Sequence, residues 1–168
     1  MFKKGWWVLP LVTVLLLVVD QASKFIVVSS LDLYEAWAPI PALAHIFEIH
    51  PITNTGAAFG LFQNGSTFFV IVSFIVSIII LYYYIRLPAG KWLIRLSMAL
   101  QLAGAVGNLI DRLRIGHVID FLDFHFWPVF NVADMCIVCG VFLLGIILLR
   151  EDILEPQATQ TKSAGEQA

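Results

Sequence analysis

The sequence predicts an integral membrane protein, mainly α-helical, with four transmembrane helices and a small cap outside the membrane. Hydrophobic residues make up 60% of the 168 residues and charged residues 13%, whereas soluble domains are about 45–50% apolar and about 25% charged. Four long apolar runs are separated by charged or proline-containing segments, and each approaches the roughly 20 residues that cross a bilayer. We therefore interpret residues 1–150 as a single four-helix membrane domain.

The first apolar run begins after two lysines and has the length of a signal-peptide core. Asp20, Gln21 and Lys24 follow it, however, in place of a small-x-small cleavage site. We therefore interpret the run as a span that carries its polar residues in its last two turns. The second run is uncharged throughout. The four spans are predicted at about residues 6–28, 68–85, 92–110 and 132–149.

Small residues mark one face of the third run. Ala99, Ala103 and Gly107 recur at every fourth position, with Gly104 beside them. In a membrane, small side chains let the backbones of two helices approach closely. The spacing therefore predicts that another helix packs against this face.

Two segments fall outside the predicted spans. Residues 29–66 are too rich in proline and glycine for one long helix, so we interpret them as a cap that lies on the bilayer. Within this segment, residues 45–53 predict a short strand, and residues 54–60, NTGAAFG, predict a turn into the second span. Residues 151–168 are polar without apolar periodicity and predict a disordered cytoplasmic tail. Aromatic side chains suited to the membrane interface are Tyr34, Trp37, Phe47, Phe59 and Phe62.

The distribution of positive charge predicts the orientation. Four spans place both termini on one side of the membrane, and cytoplasmic loops carry an excess of Lys and Arg. The side that holds the termini carries Lys3, Lys4, Arg86, Lys91, Arg95, Arg150 and Lys162, and the other side carries Lys24, Arg112 and Arg114. We therefore predict cytoplasmic termini and an outward-facing cap, with Arg95 able to extend its charged end towards the interface.

Polar residues between the third and fourth runs predict the chemistry. Asp120 and Asp134 would lie together at the outer ends of the helices, where one could keep a proton while the other acts as a base on water. A structural alternative for Asp134 is a place in the first turn of a helix capped by Asn131. For Asp120 the alternative is a turn acid. Asp123 could equally be the partner of Asp134, because spacing alone does not choose between the two.

Two further pairs are one helical turn apart, Asn108 with Arg112 and Asp20 with Lys24. They predict a structural polar network that ties helix ends together and orients the carboxylates. The sequence has no H-E-x-x-H or G-x-S-x-G motif, and its histidines lack metal-ligand spacing. Cys136 lies in the same apolar run as a second cysteine, and both are interpreted as small hydrophobic residues of a helix. The absence of a basic patch with interleaved aromatics argues against nucleic-acid binding.

Four blocks of sequence resemble the lipoprotein signal peptidase (signal peptidase II) family of bacterial inner-membrane aspartyl proteases. They are VDQASK at 19–24, NTGAAFG at 54–60, GAVGNLIDRLRIGHVIDF at 104–121 and FNVADMCI at 130–137. They occur in the family's order and cover the spanning region. The resemblance implies four transmembrane helices, a small periplasmic β-cradle, supplied mostly by residues 29–66, and a short interfacial helix.

The same resemblance implies an activity and a set of residues. The family cleaves the signal peptide of a prolipoprotein before a cysteine that carries diacylglycerol, and it needs no metal or other cofactor. The motifs place the catalytic pair at Asp120 and Asp134, with Asp123 and Asp111 outside it. A monomer that meets its substrate within membrane lipid is expected. The residues that match positions expected to shape or support the site are Asp20, Lys24, Asn54, Gly56, Gly104, Gly107, Asn108, Arg112, Asn131 and Ala133.

Two other functions compete with a protease. A proton-coupled transporter also uses intramembrane acids, but its site tends to lie near the midplane on broken helices. Here the ionisable groups lie near span ends, and residues 68–85 contain no glycine or proline. A structural subunit that binds a partner helix would tolerate Asp-to-Asn changes. For a protease, we expect an entrance from the lipid with apolar walls and polar groups only at its outer end.

Overall fold

The computed structural model describes residues 5–56 and 65–165, with residues 151–165 described as backbone only. Four long helices are present, namely α1 (Val8–Ser30), α2 (Ser66–Arg86), α3 (Trp92–Ile115) and α4 (Val132–Gly165). Each is long and apolar enough to cross a membrane, α4 over Val132–Arg150. The four predicted transmembrane helices are therefore confirmed.

Helix α3 extends further than the sequence indicated, to Ile115 instead of about residue 110. Its last turns carry charged residues, so hydropathy falls before the helix ends. Gly116 ends it with a φ of +80°, and its N–H donates a hydrogen bond to the Arg112 carbonyl. Glycine adopts this left-handed conformation without the steric cost of a side chain.

Helix α3 lies at the centre of the bundle and packs against the other three helices. A Cβ added to Gly104 would lie 2.2 Å from the carbonyl oxygen of Ala133 on α4. One added to Gly107 would lie 2.7 Å from Asp20 Oδ2 on α1. Ala99 and Ala103 are buried. The predicted close approach at the small-residue face is therefore confirmed, and it brings both α1 and α4 against the polar end of α3.

A two-stranded antiparallel sheet covers one end of the bundle. Strand β1 (Glu48–Asn54) pairs with β2 (Val118–Asp123), with Ile52 opposite Asp120. The predicted strand at 45–53 is thus confirmed in large part. Its partner comes from the connection between α3 and α4, outside the predicted cap. Asp120 consequently lies on a strand, which rules out the structural alternative that it is a turn acid.

The cap also contains a three-residue 3-10 helix, Pro41–Leu43. Of the predicted interfacial aromatics, Tyr34 and Trp37 are exposed, whereas Phe47 packs against Phe124 with ring centroids 4.8 Å apart. Phe59, Phe62 and the NTGAAFG turn beyond Gly56 lie outside the described residues.

The C-terminal segment differs from its prediction. The backbone of residues 151–165 continues α4 as a helix, where a disordered tail was expected. The segment is polar, but glutamate, glutamine, alanine and lysine have high intrinsic helix propensity, and α4 provides a preformed helix end from which further turns can propagate. Polarity alone was therefore a poor guide to the backbone conformation here.

Candidate active site

Asp134 lies in the first turn of α4 and makes two kinds of contact. Its backbone N–H donates to Asn131 Oδ1 at 2.9 Å, and its Oδ2 accepts from the Asn131 N–H at 3.3 Å. This reciprocal arrangement is a helix cap, so the structural role considered for Asp134 is present. The other oxygen, Oδ1, accepts a hydrogen bond from Asn108 Nδ2 at 2.7 Å. Asp134 therefore links the start of α4 to α3.

Asp120 lies on β2 with its side chain buried. Its Oδ1 accepts from Asn131 Nδ2 at 2.6 Å, and its Oδ2 accepts from Asn54 Nδ2 at 2.9 Å. Burial, followed by the neighbouring charge of Asp134, raises the pKa of Asp120 to about 6. Since a carboxylate loses hydration when it is buried, this group binds a proton more readily than a surface aspartate does.

Asn131 connects the two acids. Its side-chain amide donates to Asp120, its side-chain oxygen accepts from the Asp134 N–H, and its backbone N–H donates to Asp134 Oδ2. Asn131 is fully buried, so one immobilised residue holds the Asp120 carboxylate with its side chain and the Asp134 carboxylate with its backbone N–H. Asp123, the alternative partner, contacts His50 at 3.4 Å and accepts from the His125 N–H at 2.7 Å on the surface of the sheet.

A buried ion network supports this pair from behind. Lys24 Nζ lies 2.9 Å from Asp20 Oδ2, 2.8 Å from Asp111 Oδ2 and 3.2 Å from Asn108 Oδ1. The predicted pairing of Asp20 with Lys24 is therefore present. Asp20 Oδ1 also accepts the backbone N–H of Ala133 at 2.9 Å, which places a negative charge at the start of α4, where the helix dipole favours it.

Arg112 joins the sheet to the helices. Its Nη2 donates to the Gly56 carbonyl at 3.1 Å, and its guanidinium lies 5.0 Å from the ring centroid of Phe69 on α2. The Gly56 N–H in turn donates to Asn54 Oδ1 at 2.9 Å. Arg112 thus holds the end of β1 that presents Asn54 to Asp120.

A cavity of about 530 Å³ opens beside the two acids, between α2 and α4. Most of its polar lining residues are at the sheet end of the bundle, whereas Ser73 and Gln101 lie among apolar residues further along the helices. Six predicted site residues line it, namely Asn54, Gly56, Asn108, Arg112, Asp120 and Asp134. The other six lie directly behind them in the hydrogen-bonded and packed layer, namely Asp20, Lys24, Gly104, Gly107, Asn131 and Ala133.

Three polar residues of this region were missed as members of the site. Gln21 Nε2 donates to Asp111 Oδ1 at 3.0 Å and to Asp20 Oδ2 at 3.1 Å, which makes Gln21 and Asp111 part of the ion network. Gln101 lines the cavity itself. Helical spacing could have found it, because it stands seven residues before Asn108 and therefore on the same face of α3.

The potential metal ligands of the chain are its His, Cys, Asp and Glu side chains. Among the side chains that the structure describes, in residues 5–56 and 65–150, no group of three or more His, Cys, Asp or Glu is placed to hold a metal ion. Cys136 is buried and Cys139 is exposed, both as free thiols. The arrangement of paired acids in a cavity is suited to general acid–base chemistry on a bound carbonyl.

Comparison with known proteins identifies the family. The family model described as signal peptidase (SPase) II matches residues 12–150. The lipoprotein signal peptidase of Moorella thermoacetica is 48% identical over 134 residues, covering 80% of this chain and 87% of its own. That of Geobacter metallireducens is 40% identical over 157 residues, covering 89% and 95%. A solved bacterial membrane enzyme matches with a TM-score of 0.82 and 32% identity, covering 90% of this chain and 94% of its own. The chain belongs to the signal peptidase II family.

Proposed function

We propose that this chain removes the signal peptide from diacylglyceryl-modified prolipoproteins by aspartyl catalysis, cleaving before the lipidated cysteine. The family is one of signal peptidases, and the relatives are named lipoprotein signal peptidases. The observation that carries the proposed mechanism is the position of Asn131, which hydrogen-bonds both Asp120 and Asp134 at the wall of one cavity. Two acids from separate sequence blocks thereby line the same cavity.

In this mechanism the two carboxyl groups share one proton. The ionised carboxylate takes a proton from a water molecule, and the water oxygen attacks the carbonyl carbon of the scissile peptide bond. The protonated carboxyl donates a hydrogen bond to the carbonyl oxygen, where negative charge develops. Collapse of the tetrahedral intermediate breaks the C–N bond, and a proton passes to the leaving amine of the lipidated cysteine. The raised pKa of Asp120, about 6, supports proton retention by the pair.

The remaining site residues would act through the pair. Asn54 and Asn131 hold the two oxygens of Asp120. Asn108 holds Asp134 and is itself fixed by Lys24. These amide groups fix the orientation of both carboxylates at the cavity. Catalytic groups held by a hydrogen-bonded outer layer retain the productive geometry that loosely supported groups lose.

The proposed setting is the outer face of the bacterial inner membrane, with a monomer whose termini are cytoplasmic. Positive residues concentrate at the end of the bundle opposite the sheet, at Arg86, Lys91, Arg95 and Arg150, and the cytoplasmic side of membrane proteins carries this excess. A substrate anchored in the bilayer by its signal segment and its lipid would reach the cavity laterally, between α2 and α4.

The test is cleavage of a diacylated prolipoprotein by the purified protein. We expect Asp120→Asn and Asp134→Asn each to reduce turnover by about a thousandfold or more, because each removes one member of a unit. Asp123→Asn is the matched control, since it alters a carboxylate on the same strand that contacts surface histidines instead. A chelator should not reduce cleavage.

Near-normal turnover by either cavity variant would disprove the two-aspartate mechanism. Equal losses in the Asp123→Asn control would do so as well, because a general effect on the sheet would then explain the result. Loss of activity in the presence of a chelator would indicate a metal-dependent mechanism and contradict the proposed one. Circular dichroism of each variant establishes that the helices are retained.

A further inference from the structure

The cavity is the deep part of a groove that runs along the bundle. Helices α2 and α4 both pack against α3, but over the described residues they do not pack against each other. The floor of the groove is therefore one face of α3. The residues of this face that line the cavity are Gln101, Ala105, Asn108 and Arg112, and their spacing of four, three and four residues is that of a single helical stripe.

Gln101 lies at the end of this stripe that is furthest from the sheet, and it is polar although most of the cavity lining around it is apolar. It stands seven residues before Asn108, about 10 Å further into the membrane at 1.5 Å per residue. The prediction that polar groups lie only at the outer end of the cavity is therefore wrong at this position. No side-chain hydrogen bond joins the Gln101 amide to any part of the chain that the structure describes. An amide without a partner in an apolar environment is unfavourable, and polar side chains inside spans commonly mark a path for a ligand.

The surroundings make room for this side chain. A Cβ added to Gly140 on α4 would lie 2.7 Å from Gln101 Cγ, so the absence of a side chain at Gly140 accommodates the glutamine stem. Gln101 also lines a second cavity of about 430 Å³, which continues towards Leu87 and Pro88 at the opposite end of the bundle. The groove thus extends past Gln101 in both directions, as a spanning segment would require.

The occupant that fits this groove is the signal segment of the substrate, an inference that rests on the function proposed above. A peptide bond must leave the helical conformation to be reached by a water molecule and two carboxyl groups. Its neighbours then expose backbone N–H and C=O groups inside the bilayer, where unpaired groups are costly. A glutamine amide offers both a donor and an acceptor, so one side chain can pair either group.

We infer that Gln101 is a substrate-binding residue that hydrogen-bonds the unwound backbone of the signal segment. A distance of about 10 Å corresponds to roughly three residues of extended chain at about 3.3 Å each or roughly seven helical residues. The contact therefore falls three to seven residues before the scissile bond. Gln101 contributes to substrate affinity and register, and it takes no part in the bond-breaking step.

The experiment measures KM and kcat of the full-length protein in lipid vesicles with a diacylated prolipoprotein. Gln101→Leu and Gln101→Met each keep the side-chain bulk and remove the amide. We expect KM to rise about fivefold to a hundredfold, the range for a buried polar group that loses its partner, with kcat unchanged. Thr13→Val is the matched control, because it removes a buried hydroxyl that donates to the Ala99 carbonyl on the α1 side of α3. Its KM should stay unchanged.

A second measurement locates the contact. This measurement uses a series of synthetic substrates. Each has one backbone amide replaced by an ester, at a different position three to seven residues before the scissile bond. One ester should raise KM for the unaltered protein and have no further effect on Gln101→Leu, since both changes remove the same hydrogen bond. Unchanged KM in both Gln101 variants would overturn the inference, as would a fall in kcat alone or additive effects for every ester. If the unaltered protein does not cleave the substrate, the proposed function fails first and this inference fails with it.

Discussion

The two ends of the bundle both bury charged side chains, but they do so with different partners. At the sheet end, Lys24 contacts two carboxylates, Asp20 and Asp111. At the opposite end, Arg95 is fully buried, and its Nη2 donates to the carbonyl oxygens of Leu87 and Pro88 at 3.0 and 3.1 Å. The expectation that Arg95 extends towards the interface is therefore wrong, because its side chain is buried against the α2–α3 connection and donates to two backbone carbonyls there.

Aromatic contacts complete the Arg95 site. The guanidinium lies 4.8 Å from the ring centroid of Tyr84, and the Tyr84 hydroxyl donates to the carbonyl of Trp6. An arginine keeps its proton throughout the physiological pH range, and its partners at this end are uncharged. The Arg95 end can therefore fix the positions of α2, α3 and the start of α1.

The sheet end differs because several of its groups can exchange protons and two of them line a cavity. Asp120 and Asp134 face the cavity, while the ion network lies behind them. Burial of charge alone therefore does not indicate catalysis in a membrane protein. Paired acids, neutral amide donors and an open volume must coincide, and in the described part of the chain they coincide at the sheet end.

The largest predicted effect on stability comes from the charge balance at the sheet end. Lys24→Met leaves the carboxylates of Asp20 and Asp111 buried without their common cation. Breaking a buried ion pair costs about 3–5 kcal/mol, and we expect a loss of that size in the free energy of unfolding in detergent micelles, together with loss of cleavage. Adding Asp111→Asn to Lys24→Met should recover part of the stability, because it removes one unpaired charge. A loss below about 1 kcal/mol would contradict a charged network.

Replacing the buried cation at the other end should have a smaller effect. Arg95→Met leaves two neutral carbonyls, those of Leu87 and Pro88, without their donor. The expected loss is about 1–3 kcal/mol in the free energy of unfolding, with the kcat of prolipoprotein cleavage retained at a temperature where the variant is folded. A loss of kcat comparable to that of Asp120→Asn would contradict this prediction, because it would mean that the two ends are functionally coupled.

The sequence predicted the four spans and most residues of the polar cluster at the sheet end. What it predicted and what it missed have physical causes. Continuous apolar runs identify α1, α2 and α4, whereas the end of α3 was missed because the charged residues of its last turns lower the hydropathy before the helix ends. The pairing of β1 with β2 was missed because no local pattern records which distant segment supplies a partner strand. The double role of Asn131 depends on that same long-range pairing, since β2 carries Asp120 to it.

Gln101 shows a different limit of the sequence. A single glutamine in an apolar run is usually interpreted as a tolerated polar residue. Whether it can bind a ligand depends on whether another helix packs over that face, which the sequence does not show. Because α2 and α4 leave this face of α3 open, the residue lines a cavity. The seven-residue spacing between Gln101 and Asn108 can be seen in the sequence. The groove that both residues line arises from the packing of the helices and cannot be seen there.

The smallest predicted effect is a pH dependence of stability that belongs to the sheet end alone. Asp120 has a pKa of about 6 in the folded protein, raised first by burial, against about 4 for an unfolded aspartate. Between these values the folded state binds more protons than the unfolded state, so the free energy of unfolding falls as pH rises from about 4 to about 6. Above about pH 6 the contribution is constant, because the carboxyl is then ionised in both states.

Thermal unfolding midpoints measured in detergent at half-unit steps between pH 4 and pH 7 provide the test. Asp120→Asn removes the titrating group and should flatten this part of the profile, whereas Arg95→Met should shift the whole profile down without changing its slope, because neither arginine nor methionine titrates in this range. The same slope in Asp120→Asn as in the unaltered protein would show that Asp120 has an ordinary proton affinity when folded, and the sheet end would then lose the property that most clearly separates it from the Arg95 end.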